Sequence, residues 1–228
     1  MNIQDNLAAI NSRILQTCQR SDRDPSEVRL VAVSKTKPTA MIEEAAVSGQ
    51  QLFGESYAQE FSAKFDQLGT TVDWHFIGGL QTNKVKYLRG KVNLIHSVDR
   101  LSLAQEINRQ WAKIDQVANI LIQLNLGAES TKSGAGEAEL EQLLRQVAQL
   151  PNLRIRGLMA LPPYLDDPEQ VRPYFRRLKQ LAEIMETHQI PGIELQELSM
   201  GMSHDFEVAI EEGATLVRVG AAIFGTRI

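Results

Sequence analysis

The sequence predicts an α/β protein folded as one (β/α)8 barrel, with an extra helix ahead of the first strand. Three observations support this prediction. Short apolar runs alternate with longer amphipathic segments, eight such runs are evenly spaced, and 228 residues is the length of a compact barrel. A doubly wound open sheet would show the same alternation and is the alternative. The even spacing favours the barrel, and no Pro/Gly/Ser-rich linker divides residues 1–228, so we predict a single domain.

The predicted strands are short and mostly flanked by Gly, Pro, Asp or Ser, as is typical of buried parallel strands. Helical spacing of apolar residues predicts a leading helix at about 3–19 and helices between the later strands. For the helix after the fourth strand, Ser97 or Asp99 is the predicted N-cap. The predicted strands are Arg29–Ser34, Gln51–Gly54, Trp74–Ile77, Val92–Ile95, Asn119–Leu124, Arg154–Ala160, Glu197–Met200 and Thr215–Val219.

The composition excludes several classes of protein. A formal net charge of −4 gives no basic footprint for nucleic acid as the main partner. No stretch approaches the run of about 18 apolar residues that a membrane span requires, and the N-terminus lacks the apolar core of a signal peptide. The single cysteine, Cys18, cannot form an internal disulfide and is predicted to be buried filler. We therefore expect a soluble, cytoplasmic protein.

The first predicted strand ends in a lysine. The stretch "VAVSKTKP" carries an apolar run into Lys35 and stops at Pro38. In a barrel, Lys35 would lie at the carboxyl end of the strand, where barrel proteins build their sites. Apolar surroundings disfavour the ammonium, and the neutral amine is the nucleophile that forms a Schiff base with an aldehyde. The alternative is a lysine that reaches solvent past the strand end.

Small residues follow the seventh and eighth predicted strands. Ser199, Gly201 and Ser203 form a turn whose N–H groups could approach an anion, and Gly220 and Ala221 repeat this arrangement after the eighth strand. Barrels commonly bind phosphate between these two loops. A turn that caps the following helix is the alternative for the first loop, and one loop can serve both purposes.

Arg218 lies inside the apolar stretch "TLVRVG". A charge there must be paired or must face a ligand. Ion pairs with Glu197 or Glu55 are the structural alternatives to a ligand.

Weaker candidates lie near the other strand ends. Ser56 follows the second predicted strand, His75 lies within the third, and Lys132 follows the fifth. A lone histidine in an apolar strand is more often a satisfied core group, and a loop lysine is usually solvated. The four histidines have no metal-ligand spacing and the chain has no CxxC, so we expect no metal site. The consecutive Ser-His-Asp at 203–205 cannot form a triad, and no residue is assigned as catalytic.

Together, these motifs resemble those of the pyridoxal phosphate homeostasis proteins, the YggS/PROSC family, called PipY in cyanobacteria. The resemblance runs in order from about residue 5 to residue 228. That family is similar to the N-terminal barrel of bacterial alanine racemases, which implies the type III fold of pyridoxal phosphate proteins. The motifs are "AVSKTKP", "FGESYAQE", "WHFIGGLQTNK", "ESTKSG", "GLMAL", "SMGMSHDFEVAI" and "VRVGAAIFGTR".

The resemblance implies a binding site for pyridoxal 5′-phosphate. Lys35 would hold the cofactor as a Schiff base, Ser199 and the Gly220–Ala221 backbone would hold its phosphate, and Arg218 would face the pyridine nitrogen. Met159 or Leu161 would pack near the ring. The implied cofactor-binding residues are Lys35, Ser56, His75, Met159, Ser199, Met200, Gly201, Arg218, Gly220 and Ala221, with Lys132 near the open side.

The chain departs from the family pattern at two places. The family usually has Asn where this chain has Ser56, which shortens the reach of a pocket hydrogen bond. It usually has Gly-Pro where this chain has Gly78-Gly79, which predicts a looser loop after the third strand.

The resemblance also implies a function. An always-cationic arginine at the pyridine nitrogen makes the ring a poor electron sink. Racemases of similar barrel add a tyrosine base from a second domain, and the printed sequence ends soon after the last barrel motif, so no such domain is expected. We therefore predict a non-catalytic protein that acts in vitamin B6 homeostasis, buffering or delivering the cofactor and affecting amino- and keto-acid pools.

Two alternatives differ in class from this prediction. One is a small racemase-like enzyme that uses Lys35 with Lys132 or His75 as a second base. The other is a barrel that binds a different phosphate ester non-covalently. The expected partners are the cofactor and possible recipient apoenzymes. The helix face with Phe175, Leu178 and Leu181 is typical of barrel packing, which favours a monomer.

Overall fold

A computed structural model describes residues 2–127 and 133–225. Within them, eight parallel strands pair in chain order and close into a barrel, because β8 pairs with β1. The predicted (β/α)8 fold is confirmed, and the open-sheet alternative is excluded. The strands are β1 (Arg29–Val33), β2 (Leu52–Glu55), β3 (Asp73–Phe76), β4 (Leu94–Val98), β5 (Ala118–Leu124), β6 (Leu153–Ala160), β7 (Ile193–Met202) and β8 (Leu216–Val219).

Helices cover the outside of the barrel. The leading helix α1 begins where predicted, because the Asn2 side chain accepts a hydrogen bond from the Asp5 N–H at 2.7 Å and caps the first turn. After β3 the covering element is the 3-10 helix Thr82–Tyr87. The α-helices are α1 (Ile3–Arg20), α2 (Thr39–Val47), α3 (Ala58–Leu68), α4 (Leu101–Ala112), α5 (Leu140–Val147), α6 (Arg172–Thr187), α7 (Phe206–Glu211) and α8 (Ala221–Phe224).

The core has two parts, because side chains alternate between the two faces of each strand. The larger part fills the space between sheet and helices, and Cys18 is completely buried there, as predicted. The apolar face of α6 also packs inward, with Phe175 and Leu178 fully buried. The smaller cluster fills the barrel interior and consists of Val31, Leu94, Leu121, Met159 and Leu216.

Two predictions around the fourth strand were wrong. The fourth strand runs over Leu94–Val98, past the predicted end at Ile95, and its polar residues His96 and Ser97 are buried within it. As a result, α4 begins later, and Arg100 occupies the N-cap position without a side-chain cap, so neither Ser97 nor Asp99 serves there. None of the helices within the described ranges is long and apolar enough to cross a membrane.

Candidate functional site

A cavity of about 580 Å³ opens at the carboxyl ends of the strands, where barrel proteins carry their sites. Its wall combines apolar groups with a few polar ones, as is typical of ligand pockets. Lys35 and Arg218 both contribute to it. The lining residues are Val33, Lys35, Ser56, Tyr57, Ile77, Gly78, Gly79, Gln123, Ser133, Leu161, Met202, Ser203, Arg218, Gly220 and Ala221.

Lys35 is half-buried in a turn directly after β1. The backbone on both sides of it is held in place. The Ser34 carbonyl accepts a hydrogen bond from Lys64 Nζ at 2.7 Å, and the Thr36 N–H donates to Glu60 Oε1 at 2.6 Å. Thr36 has a φ of +63°, a conformation that a β-branched residue keeps only when its surroundings enforce it. The geometry therefore fixes where Lys35 enters the cavity.

A network of buried charged side chains behind the cavity wall holds the turn that carries Lys35. Glu55, at the end of β2, is completely buried, and its Oε1 accepts hydrogen bonds from Ser34 Oγ and Lys64 Nζ, both at 2.7 Å. Lys64, on α3, also donates to Glu60 Oε1 at 2.6 Å. Glu55 Oε2 is buried without a hydrogen-bond partner among the described residues. Burial raises the pKa of the Glu55 carboxyl, and the Lys64 ammonium opposes that rise.

Arg218 extends from β8 into the barrel and reaches the cavity wall while only 3% exposed. It donates hydrogen bonds to Ser199 Oγ at 2.5 Å and to the Ala160 carbonyl at 2.9 Å. Neither of the alternative ion pairs forms, because Glu197 pairs with Arg29 and Glu55 pairs with Lys64. Burial lowers the pKa of Arg218 to about 10, so it is charged at neutral pH. Among the described residues no carboxylate lies within salt-bridge distance of Arg218, and the more remote Asp205 carboxylate opposes part of the effect of burial on its pKa.

The turn after β7 brings the hydroxyl of Ser203 to the cavity. Asp205 Oδ1 accepts the Met202 N–H at 2.6 Å and so closes the turn before α7. This turn places the Ser203 hydroxyl beside β8, where it accepts the Gly220 N–H at 3.3 Å. The next amide, at Ala221, starts the first turn of α8, where N–H groups have no intrahelical acceptor. Because the Gly220 N–H is donated to Ser203 Oγ, the donors left for an oxyanion are the Ser203 hydroxyl and the Ala221 amide, which together form a small cradle.

The structure brings half of the ten predicted cofactor-binding residues to the cavity wall: Lys35, Ser56, Arg218, Gly220 and Ala221. It does not bring the other five there, which are His75, Met159, Ser199, Met200 and Gly201. Lys132 lies outside the described residues. The cause in most cases is depth, since a side chain two or four residues nearer the start of a strand points into a lower layer of the barrel.

Ser199 shows this effect of depth. It pairs with Leu216 of β8 and is completely buried, two layers below Ser203. Its hydroxyl contacts His96 and Arg218. Met159 pairs with Ser199 and shares that layer, while His75 lines cavities at the opposite end of the barrel. The hydroxyl at the cavity is that of Ser203, which the sequence analysis placed in the turn but did not select.

Met200 and Gly201 have packing roles. Met200 points outward and is buried in the core between sheet and helices. Gly201 has a φ of +86°, and a Cβ there would lie 2.5 Å from the Ala209 Cβ, so the glycine allows α7 to pack against β7. Within the described residues, no group of three His, Cys, Asp or Glu side chains is arranged to hold a metal ion.

Fold and cavity together define the class of protein. A family model described as "Alanine racemase, N-terminal domain" matches residues 6–228, and the chain belongs to that family. The alanine racemase of Corynebacterium glutamicum superposes with a TM-score of 0.71 at 16% identity, over 100% of this chain and 64% of that one. At that identity the likeness concerns the fold alone.

Relatives of higher sequence identity identify the family more specifically. A "pyridoxal phosphate homeostasis protein" of Aquifex aeolicus is 47% identical over 228 residues, 100% of this chain and 99% of that protein. PipY of Synechococcus elongatus PCC7942, solved with PLP bound, is 36% identical with a TM-score of 0.85, over 98% of this chain and 100% of that one. The chain is therefore a member of the pyridoxal phosphate homeostasis protein family.

Proposed function

We propose that this protein binds pyridoxal 5′-phosphate (PLP) reversibly in the cavity, through a Schiff base at Lys35, and serves vitamin B6 homeostasis by holding and releasing it. One observation carries the proposal: a lysine, a buried arginine without a carboxylate partner among the described residues, and an oxyanion cradle line the same cavity. When bound, PLP supplies an aldehyde that condenses with an amine with loss of one water. The names of the relatives, and the PLP-bound neighbour, agree with this proposal.

The residues present fit each part of the cofactor. The Ser203 hydroxyl and the Ala221 amide suit the phosphate, since both can donate hydrogen bonds, and the Gly220 N–H orients the Ser203 hydroxyl by donating to its oxygen. We assign the phosphate to this cradle and not to Ser199, whose hydroxyl is two layers deeper. At the other end, Arg218 can only donate a hydrogen bond and so suits an unprotonated pyridine nitrogen.

Arg218 also supports a non-catalytic role. A cationic neighbour disfavours a second positive charge on the pyridine ring, and enzymes that stabilise carbanions on PLP commonly use an acidic partner there. The half-buried position of Lys35 and the half-exposed ring of Tyr57 leave one side of the cavity open to water. An open cavity suits exchange with free amines and transfer to an apoenzyme. We further propose that the protein is a cytoplasmic monomer of one domain.

One observation favours the alternative, a racemase-like enzyme. The phenol of Tyr57 lines the cavity beside Lys35 and could act as a second acid or base. A steady turnover of amino acids by the purified protein that is lost in both Lys35→Ala and Tyr57→Phe would establish the enzyme. Binding of PLP without turnover supports the carrier.

The first test is spectroscopic. The purified protein with PLP should absorb in the visible, and borohydride should fix a pyridoxyl group on the peptide that contains Lys35. The matched control is Lys37→Ala, which removes a lysine from the same loop two residues away. We expect Lys35→Ala to abolish labelling and Lys37→Ala to retain it. A protein that stays colourless with added PLP would refute the proposal.

The phosphate assignment has a test of its own. Ser203→Ala should weaken PLP binding by about 1–3 kcal/mol, the cost of losing a hydrogen bond to a charged acceptor. Ser199→Ala should act only through the packing of Arg218, so it should change the absorption maximum more than the affinity. Equal affinities of Ser203→Ala and the unmodified protein, measured by equilibrium dialysis, would remove Ser203 from the site.

A further inference from the structure

A second cavity, of about 380 Å³, lies at the amino-terminal end of the barrel, opposite the PLP cavity. Its volume falls in the range of about 300–1,000 Å³ that small-molecule sites occupy. It shares no lining residue with the cavity at the carboxyl end. The residues that line it are Arg29, His75, Asn93, Leu94, Asn119, Arg154, Arg156 and Glu197. We call it the basal cavity.

The basal cavity carries an excess of positive charge. Arg29 is paired with Glu197 at 2.5 Å, and Arg156 is paired with Glu194. The guanidinium of the third arginine, Arg154, forms no ion pair or hydrogen bond with any described residue, while its backbone pairs with Asn119 in the sheet. Two of the three guanidiniums are thus ion-paired, and that of Arg154 is left for a ligand. The further carboxylate nearby, Asp73, accepts a hydrogen bond from Asn93 and lines an adjoining cavity instead.

A buried hydrogen-bond chain ends at this cavity. Arg218 donates to Ser199 Oγ, His96 Nδ1 lies 2.8 Å from Ser199 Oγ, and His96 Nε2 lies 2.8 Å from His75 Nδ1. Burial lowers the pKa of His75 to about 3 and that of His96 well below its ordinary value. Both rings are therefore neutral, and each carries one N–H.

The direction of the chain follows from its first member. Arginine only donates, so the Ser199 oxygen accepts from Arg218. The only other described partner of this buried hydroxyl is His96 Nδ1, so the hydroxyl is satisfied as a donor when it gives its own hydrogen to that nitrogen. His96 then carries its hydrogen on Nε2 and donates it to His75 Nδ1. His75 must in turn carry its hydrogen on Nε2.

The Nε2–H of His75 has no partner among the described residues. Nε2 is also absent from the polar side-chain atoms that are both sealed from solvent and unpaired, which are Glu55 Oε2 and Ser97 Oγ. His75 is only 5% exposed, and it lines both the basal cavity and the adjoining cavity that contains Arg29 and Asp73. The buried N–H donor of His75 and the unpaired guanidinium of Arg154 thus line the same cavity.

We propose that the basal cavity is a binding site for a small oxyanion, a carboxylate or a phosphate, held by the Nε2–H of His75 and the guanidinium of Arg154. The amide side chain of Asn119, which also lines the cavity, supplies a further polar contact. The cavity admits a free small molecule, and the carboxylates of Glu194 and Glu197 leave charge for one anionic group.

Histidine nitrogen NMR tests the proposal without PLP, so its failure is separate from failure of the proposed function. Protein with ¹⁵N-labelled histidine is titrated with inorganic phosphate and, separately, with acetate, at an ionic strength held constant with sodium chloride. The unliganded protein should show His75 protonated on Nε2. The Nε2 resonance should then move and saturate with one or both anions. Saturation by phosphate indicates a tetrahedral ligand and saturation by acetate a carboxylate.

Arg154→Gln is the informative variant, because Arg154 is exposed and forms no contact whose loss would unfold the protein. It should raise the dissociation constant seen at His75 about tenfold or more. The matched control is Arg145→Gln, which removes an exposed arginine paired with Glu141 on the outer helix α5 and should leave the constant unchanged. No saturable movement with either anion, or equal constants in Arg154→Gln and the unmodified protein, would overturn the proposal.

Discussion

Replacing Lys64 by methionine tests the support behind Lys35. Methionine keeps much of the side-chain volume but removes an ammonium that donates to the Ser34 carbonyl, Glu55 and Glu60, all within 2.7 Å. The change leaves the carboxylate of Glu55 buried without a cation. We expect the turn that carries Lys35 to loosen and the protein to lose stability.

The size of the expected stability loss follows from the burial of the Glu55–Lys64 ion pair. The Lys64 side chain is 7% exposed and that of Glu55 0%, so solvent does not screen the pair. Removing one partner of such a pair costs about 3–5 kcal/mol, since the remaining charge is uncompensated. The double variant Glu55→Gln/Lys64→Met removes both charges and should recover about 1–2 kcal/mol of that loss. Lys91→Met, which breaks an exposed pair with Asp66, should cost about 0–1 kcal/mol.

The stability loss of Lys64→Met should decrease as the pH is lowered. Burial raises the pKa of Glu55, so its protonation stabilises the folded state below the unfolded pKa, and that contribution disappears as pH rises through the raised value. Without Lys64 the pKa rises further, because the ammonium no longer opposes the effect of burial. The penalty of Lys64→Met should therefore be largest at neutral pH and shrink on acidification.

Urea unfolding at neutral and mildly acidic pH measures these free energies, and amide exchange at Thr36, whose N–H donates to Glu60, reports on the turn. The reasoning is refuted if Lys64→Met costs no more than Lys91→Met. It is also refuted if the double variant is less stable than Lys64→Met alone, since the pair would then not be the source of the penalty.

Other predictions concern packing. Gly201→Ala should lower stability by about 1–3 kcal/mol, because its positive φ and the close Ala209 Cβ leave no room for a methyl group; unfolding equal to the unmodified protein would contradict this. Gly79→Ala, where a Cβ would make only an ordinary contact with Ser133 Oγ at 3.9 Å, should be neutral or raise stability by about 0.4–1 kcal/mol, and a clear loss in urea would show hidden strain. Cys18 is completely buried and burial raises its pKa, so a thiol reagent should modify it only in denaturant; rapid labelling of the native protein would disprove this.

The fold was predictable because strands that are buried on both faces appear in the sequence as short continuous apolar runs, and the helices between them appear as amphipathic segments. The sequence also indicated Lys35, Arg218 and the Gly220–Ala221 turn as residues near the carboxyl ends of strands, and the structure has all of them on the cavity wall. Depth within the barrel was harder to predict. The seventh strand was expected to end at Met200 but continues to Met202, so Ser199 lies in the interior and Ser203 at the cavity.

The partners of buried charges could not be predicted, because they depend on contacts between distant elements. Glu55 was considered as a partner for Arg218, yet its side chain lies on the outer face of β2, where it contacts Lys64 of α3. Alternation along β2 is the signal that was available: Ser56 points into the cavity, so Glu55 must point away from it. The role of Lys64 left no such signal, because its spacing from Glu60 is typical of any solvated helix pair.

The interior of the barrel explains how an arginine can stay charged where no described carboxylate pairs with it. A buried guanidinium must be stabilised by hydrogen bonds or by an opposite charge. Here the Ala160 carbonyl and the Ser199 hydroxyl supply oxygen dipoles, and the neutral rings of His96 and His75 extend the chain of dipoles behind Ser199. A carboxylate in the same position would neutralise Arg218 before any ligand arrived. Dipoles instead solvate the cation, the more remote Asp205 carboxylate adds a weaker favourable interaction, and the guanidinium keeps its charge at the cavity wall.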